Sequence, residues 1–353
     1  MASRKSNERI LSTSLDRRQF LKTLGVTGSL LAIGGTARLA DSWAVEGQDP
    51  APAAGEVPTR MLGKTGVRVS AMCLGGAHLG RFESDAEAIR VLHEAIDAGI
   101  TFLDNAWEYN GGRSEELMGK GLQGRRQQVF LMTKVCSHGR NKQVAMQQLE
   151  ESLRRLKTDY LDLWQIHEVV YEDDPDRHFA PNGAAEALLE AKKQGKVRFL
   201  GFTGHKHPKI HLKMLSHDFP FDTCQLPLNP FDGTYRSFEQ EVLPVLQERG
   251  IGAIGMKSLS GNAEPIKQGI VTPEEAIRYV LSLPIATLVS GIDSAAVLKQ
   301  NLQIAQRFAP MTTAERDLLR RRVAQYAADG RFELFKSSNR YDGRIGREQH
   351  GLT

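Results

Sequence analysis

Four side chains suited to proton transfer fall at or just beyond the ends of apolar runs. Asp104 closes the run that opens FLDNAWEYNGGRSEELMGKG (102–121), and Tyr109 follows just ahead of Gly111-Gly112. Lys134 ends VFLMTK, and His167 ends LDLWQIH. A tyrosine is ordinarily too weak an acid near neutrality, with a pKa of about 10. A neighbouring ammonium favours the phenolate and lowers that value, and a carboxylate keeps the ammonium charged and oriented. An imidazole can donate to a substrate oxygen and fix its position. The set suits acid–base chemistry at a carbonyl. It needs no metal and contains no evident nucleophile, but reduction by this route requires a hydride that no side chain supplies. Singly, Asp104 reads as a helix cap, Tyr109 as a packing aromatic, Lys134 as a strand-end cation and His167 as a satisfied core histidine. Their joint placement carries the chemical reading. The Gly-Gly pair lets the chain bend sharply after the tyrosine.

The elements that must position these groups alternate along the chain. Strand-like runs near 71–74, 101–104, 129–133, 160–166, 197–202, 222–226, 251–256 and 285–289 are each followed by an amphipathic stretch. Those stretches lie near 84–98, 113–121, 141–156, 182–195, 207–217, 238–248, 273–281 and 294–306. Eight strand–helix units joined by right-handed crossovers give a doubly wound sheet or a closed barrel. The count, and the lack of G-x-G-x-x-G after the first strand, favour a (β/α)8 TIM barrel of α/β class over residues 59–310. A small hairpin (60–70, Thr65-Gly66 at its turn) precedes it. Residues 311–353 are expected to add a helix near 312–328 and a tail that lids or packs on the barrel. Barrel sites lie at the C-terminal strand ends. Three consecutive strands thus deliver Asp, Lys and His to one rim, with Tyr109 over it.

Composition narrows the alternatives. The chain has 353 residues, 41% hydrophobic and 25% charged, as in a globular protein. Its formal charge of +4 comes from residues 1–44, so a basic nucleic-acid footprint on the body is not expected. The three cysteines, Cys73, Cys136 and Cys224, form no CxxC pair and read as buried free thiols. Residues 1–44 contain Arg17-Arg18, then a mildly apolar, glycine-bearing stretch too weak to span a membrane. They are similar to a twin-arginine export signal, which implies recognition by that export machinery and a folded periplasmic protein. Cleavage is expected after Ala44, and 45–58 reads as a linker. His205, His207 and His211 read as a cap and exposed face of the fifth helix, with no metal expected.

Residues 60–306 resemble the aldo-keto reductase family. LGKTGVRVSAMCLGG, FLDNAWEYNGGRSEELMGKGL, MTKV and QIH carry the likeness. It implies an NAD(P)H-dependent carbonyl reductase with Tyr109 as general acid, Lys134 and Asp104 tuning it, and His167 orienting the substrate. It assigns NADPH or NADH to Gly76, Asp104, Thr203, Gln225, Met256, Lys257, Ser258, Leu259, Gly291, Gln300 and Asn301. Thr203-Gly204 stands where the family has Ser-Asn, and Met256 where an aromatic often stacks on the nicotinamide. Gly291 and Val297 stand where a Lys and an Arg often hold the adenosine phosphate, so preference for NADPH is not expected to be strong. His78, Trp107 and His167 are the expected pocket for a small carbonyl substrate. The alternative is a non-catalytic or redox-sensing module that only binds the nicotinamide. A metal-dependent hydrolase on the same barrel would want His-x-His at the first strand end, and only His78 is there.

Overall fold

The structure, a computed structural model, describes residues 55–136 and 141–352. The export signal and most of the linker lie outside the described residues. A two-stranded hairpin, β1 (Thr59–Met61) and β2 (Arg68–Ser70), precedes eight parallel strands: β3 (Met72–Gly75), β4 (Phe102–Asp104), β5 (Phe130–Cys136), β6 (Leu161–Val169), β7 (Val197–Gly204), β8 (Thr223–Pro227), β9 (Gly252–Met256) and β10 (Thr287–Gly291). These eight close into a barrel as β10 pairs with β3. The strands read as continuous apolar runs because both faces are covered: every residue of β4, β5 and β6 is buried.

The helices follow their signals. Asp85–Asp97 starts on Ser84, whose side chain accepts from the Glu87 N–H, and buries Ala88, Val91, Leu92, Ala95 and Ile96 at helical spacing. Pro273–Leu281 opens with a reciprocal Thr272–Glu275 capping box. The single helix expected over 238–248 is two, Phe238–Glu241 and Leu243–Glu248, with a proline in the first turn of the second. Proline brings no N–H to continue the ladder. An unexpected short helix spans Asp174–Phe179.

The hairpin closes the N-terminal end of the barrel. Leu62 is fully buried in one cluster with Cys73, Phe102, Phe130, Met132, Leu163 and Ile254. The Lys64 N–H donates to the Gly250 carbonyl at 2.8 Å. A Cβ on Gly63 would lie 2.4 Å from the Gly252 nitrogen, so only glycine permits this approach.

The opposite end carries the tail. After the helix Thr313–Ala327 the chain returns through Leu334–Ser337 and Arg344–Gln349. Lys336, fully buried, pairs with Asp232 at 2.5 Å and Glu333 at 2.9 Å. Asp342 pairs with Lys206 at 2.7 Å, and His350 Nε2 lies 3.1 Å from Asp173. Among the described residues, no helix is long and apolar enough to cross a membrane.

Candidate active site

Strand register decides which side chains meet. Asp104 ends β4 beside Gly75 and Met132. The loop after it follows β5, the Trp107 N–H donating to the Lys134 carbonyl at 3.2 Å. Tyr109 is thereby laid over Lys134. The Lys134 ammonium is ion-paired with Asp104, donates to the Asn105 carbonyl at 2.7 Å and to the Tyr109 hydroxyl at 3.3 Å. The His167 ring stands edge-on to Tyr109, centroids 5.6 Å apart. All four expected residues are thus brought together. Asn110, Gly111 and Gly112 follow with φ of 52°, 65° and 95°. A Cβ on Gly112 would lie 2.6 Å from the Arg155 guanidinium carbon. The glycine pair therefore both turns the chain and admits Arg155 beneath it.

Three expectations need correcting. Lys134 and His167 do not end their strands: β5 runs on to Cys136 and β6 to Val169. The Tyr109 phenol is not lowered but pushed well above its ordinary value, first by burial and then by repulsion from Asp104, Glu108 and Glu168. Burial, with these carboxylates behind it, keeps the proton on the oxygen. His211 is not on an exposed face. It is buried against Phe202 and Phe238, while His207 does cap its helix, accepting from the Lys209 N–H at 3.1 Å.

Glu108 and Glu168, which the sequence did not single out, join Cys136 and His205 at the rim. His167 Nδ1 stands 3.0 Å from Glu108 Oε1, out of line for a hydrogen bond. The Cys136 thiol donates to Glu108 Oε2 at 2.9 Å. Glu168 Oε2 lies 3.3 Å from His205 Nδ1, and Glu168 Oε1 accepts from the Gly343 N–H of the tail. The Trp107 indole donates to Glu151 at 2.7 Å and its ring lies under Arg155 at 5.4 Å. His78 is packed on Gly291, where a Cβ would lie 2.5 Å from the ring. Burial, then Arg81, lowers the His78 pKa.

The residues assigned to a nicotinamide cofactor fit one in part. Thr203 and Gln225 are register partners on β7 and β8, both buried. Gln225 Oε1 is buried without a hydrogen bond and its amide faces Met256 Sδ at 3.7 Å, which leaves an acceptor for a carboxamide N–H. Lys257 follows β9 in a left-handed conformation, φ 59°. Its ammonium lies 5.4 Å from the Phe335 ring and 5.2 Å from the Tyr341 ring. Burial lowers its pKa; Glu168 opposes that and Lys134 adds to it. No ion pair to Lys257 occurs among the described residues, as suits a cation kept for a phosphate. Ser258 is buried and Leu259 packs at the edge of the core. A Cβ on Gly76 would lie 2.4 Å from the Asp104 carbonyl. At the far end Asn301 is buried and donates to Ser290 Oγ at 2.9 Å, with Gln300 beside it.

A sequence model of the Aldo/keto reductase family matches residues 71–265. An uncharacterized oxidoreductase of Bacillus subtilis, YqkF, is 27% identical over 290 residues, covering 70% of this chain and 90% of its own length. The structure is similar to aldo-keto reductase AKR11C1 of Bacillus halodurans in its holo form: TM-score 0.64, 26% identity, 75% of this chain and 95% of that one. It shares its fold with an aldo/keto reductase of Klebsiella pneumoniae in complex with NADP and acetate: TM-score 0.61, 23% identity, 74% of this chain and 93% of that one.

Proposed function

Because the chain belongs to the aldo/keto reductase family, an NAD(P)H-dependent carbonyl oxidoreductase by that membership, we propose that it reduces an aldehyde, ketone or sugar carbonyl with Tyr109 as the acid. The observation that supports this most is the Asp104–Lys134–Tyr109 chain of contacts with His167 edge-on to the phenol. A reduced nicotinamide, when bound, supplies the hydride. Thr203 and Gln225 would hold its carboxamide, Met256 would lie along its ring, and Lys257, Ser258 and Leu259 would meet its pyrophosphate. Gly76 and Asp104 would border it. Gly291, Gln300 and Asn301 would border the adenosine end. Tyr109 holds its proton until negative charge grows on the substrate oxygen. Lys134, charged and braced by Asp104, then stabilises the phenolate that remains. His167 orients the carbonyl.

The test is transfer of deuterium from C4-deuterated NADPH or NADH, offered with a panel of aldehydes, ketones and aldoses. Deuterium on the carbinol carbon supports the reading. Its absence across the panel with both cofactors would leave only nicotinamide binding.

The Arg17-Arg18 pair and the stretch after it support export of the folded protein through the twin-arginine machinery to the periplasm. Arg17→Lys with Arg18→Lys should leave it in the cytoplasm. Periplasmic protein at the wild-type level in that variant removes the export reading.

A further inference from the structure

We propose that Glu108, Cys136 and His167 form a binding site for a divalent cation of the zinc class. Cys136 and His167 are register partners on the adjacent parallel strands β5 and β6. Their side chains therefore leave the sheet side by side. Glu108 comes down on them from the loop that carries Tyr109. The thiol is 2.9 Å from one Glu108 oxygen and His167 Nδ1 is 3.0 Å from the other. The three donor atoms lie within 4.8 Å of one another. Around a tetrahedral zinc, with Zn–S about 2.3 Å and Zn–N or Zn–O about 2.0 Å, donor atoms stand roughly 3.3–3.5 Å apart. The two contacts to Glu108 need lengthen by only a few tenths of an ångström to reach that spacing.

A second observation points to a ligand there. His167 is 7% exposed, yet Nδ1 has no hydrogen bond despite the carboxylate beside it. A cation held between the three groups gives that nitrogen its partner. The mixed S, N, O set suits zinc and its congeners over calcium or magnesium, which prefer oxygen alone. On binding, the Cys136 S–H bond gives way to an S–metal bond and the proton leaves to solvent, with no change of oxidation state. Three protein ligands leave a fourth position for water. A harder cluster, Asp173, Asp174 and His350, is a weaker rival because its histidine already bonds the Gly346 carbonyl at 2.8 Å and Asp173 at 3.1 Å.

Since His167 is shared with the carbonyl site, the bound cation arrests reduction. That consequence rests on the reductase reading; the metal site does not. The experiment is titration of the full-length protein with Co2+. A single equivalent should bind with a thiolate-to-cobalt charge-transfer band, and Zn2+ should displace it. Cys136→Ser should abolish the band and Cys73→Ser should keep it. Glu108→Gln should keep the band and weaken affinity at least tenfold. Zn2+ should also protect Cys136 from alkylation, read by mass spectrometry of its peptide. No band, a band surviving in Cys136→Ser, or unchanged affinity in Glu108→Gln overturns the site. A full band with turnover unaffected by Zn2+ overturns the inhibitory role alone.

Discussion

Replacing Asp342 by alanine should open the tail without unfolding the barrel. The carboxylate is fully buried and held by Lys206 at 2.7 Å, His205 at 3.5 Å and the Tyr171 hydroxyl at 3.3 Å. Burial works against its charge, but His205 and Lys206 still hold its pKa below the usual carboxylate value. Breaking a buried pair by removing one partner costs about 3–5 kcal/mol. Lys206 keeps the Ser338 carbonyl at 2.5 Å and Asn339 at 3.3 Å, so the lower end, about 3 kcal/mol, applies here. At about 1.4 kcal/mol per tenfold, the open-to-closed ratio of the tail rises by roughly 10²-fold. Hydrogen exchange should show that loss of protection over residues 333–352, with β5 and β6 unchanged. Tail protection within threefold of wild type would refute the reasoning. So would equal loss in the strands, because that would make the latch part of global stability.

Tyr109→Phe should cut carbonyl reduction by about 10²-fold or more while nicotinamide affinity, read by fluorescence titration, persists; near-normal turnover removes Tyr109 as the acid. Discrimination between NADPH and NADH should be weak, since no cation occupies Gly291 or Val297 and one charged contact is worth about 1.5–3 kcal/mol; a thousandfold preference in competitive binding contradicts this. Burial pushes the pKa of His211 down to about 3, so its stabilising contribution is complete above the ordinary value near 6.5 and is lost as pH falls from there towards 3. Between pH 7 and pH 5 that amounts to about 2 kcal/mol. His211→Leu should flatten the pH dependence of urea unfolding by that amount, and an unaltered slope counts against it.

Strands and helices were legible because each carries its own periodicity, and in the structure Ser84, Thr272 and Thr312 cap the helices that follow them. Asp104, Lys134, Tyr109 and His167 were legible because a polar side chain after an apolar run marks a barrel rim. Glu108 looked like an ordinary loop acid. Cys136 lay beyond the expected end of its strand, so its pairing with His167 could not be seen. Whether β5 stops at 133 or 136 is set by register with β6, a contact between chains of residues distant in sequence. The tail was hidden for the same reason. Asp342 and Lys336 meet partners more than 100 residues away, and no local pattern announces such pairs. The direction of Trp107 is set by Glu151 and Arg155, which aromatic character alone does not announce.

The hairpin at the foot of the barrel changes the kinetics of whatever binds at the top. With Leu62 buried there and Gly63 set against Gly252, that end offers no route for a nucleotide. All traffic passes the C-terminal rim, where Phe335 and Tyr341 flank Lys257 and Gly343 rests on Glu168. In a vessel with one opening and a strap across it, residence time depends on the strap as well as on the strength of the grip below. Escape can be no faster than the strap lifts. Exchange experiments that vary strap stability at constant affinity would then move the off-rate and the on-rate together.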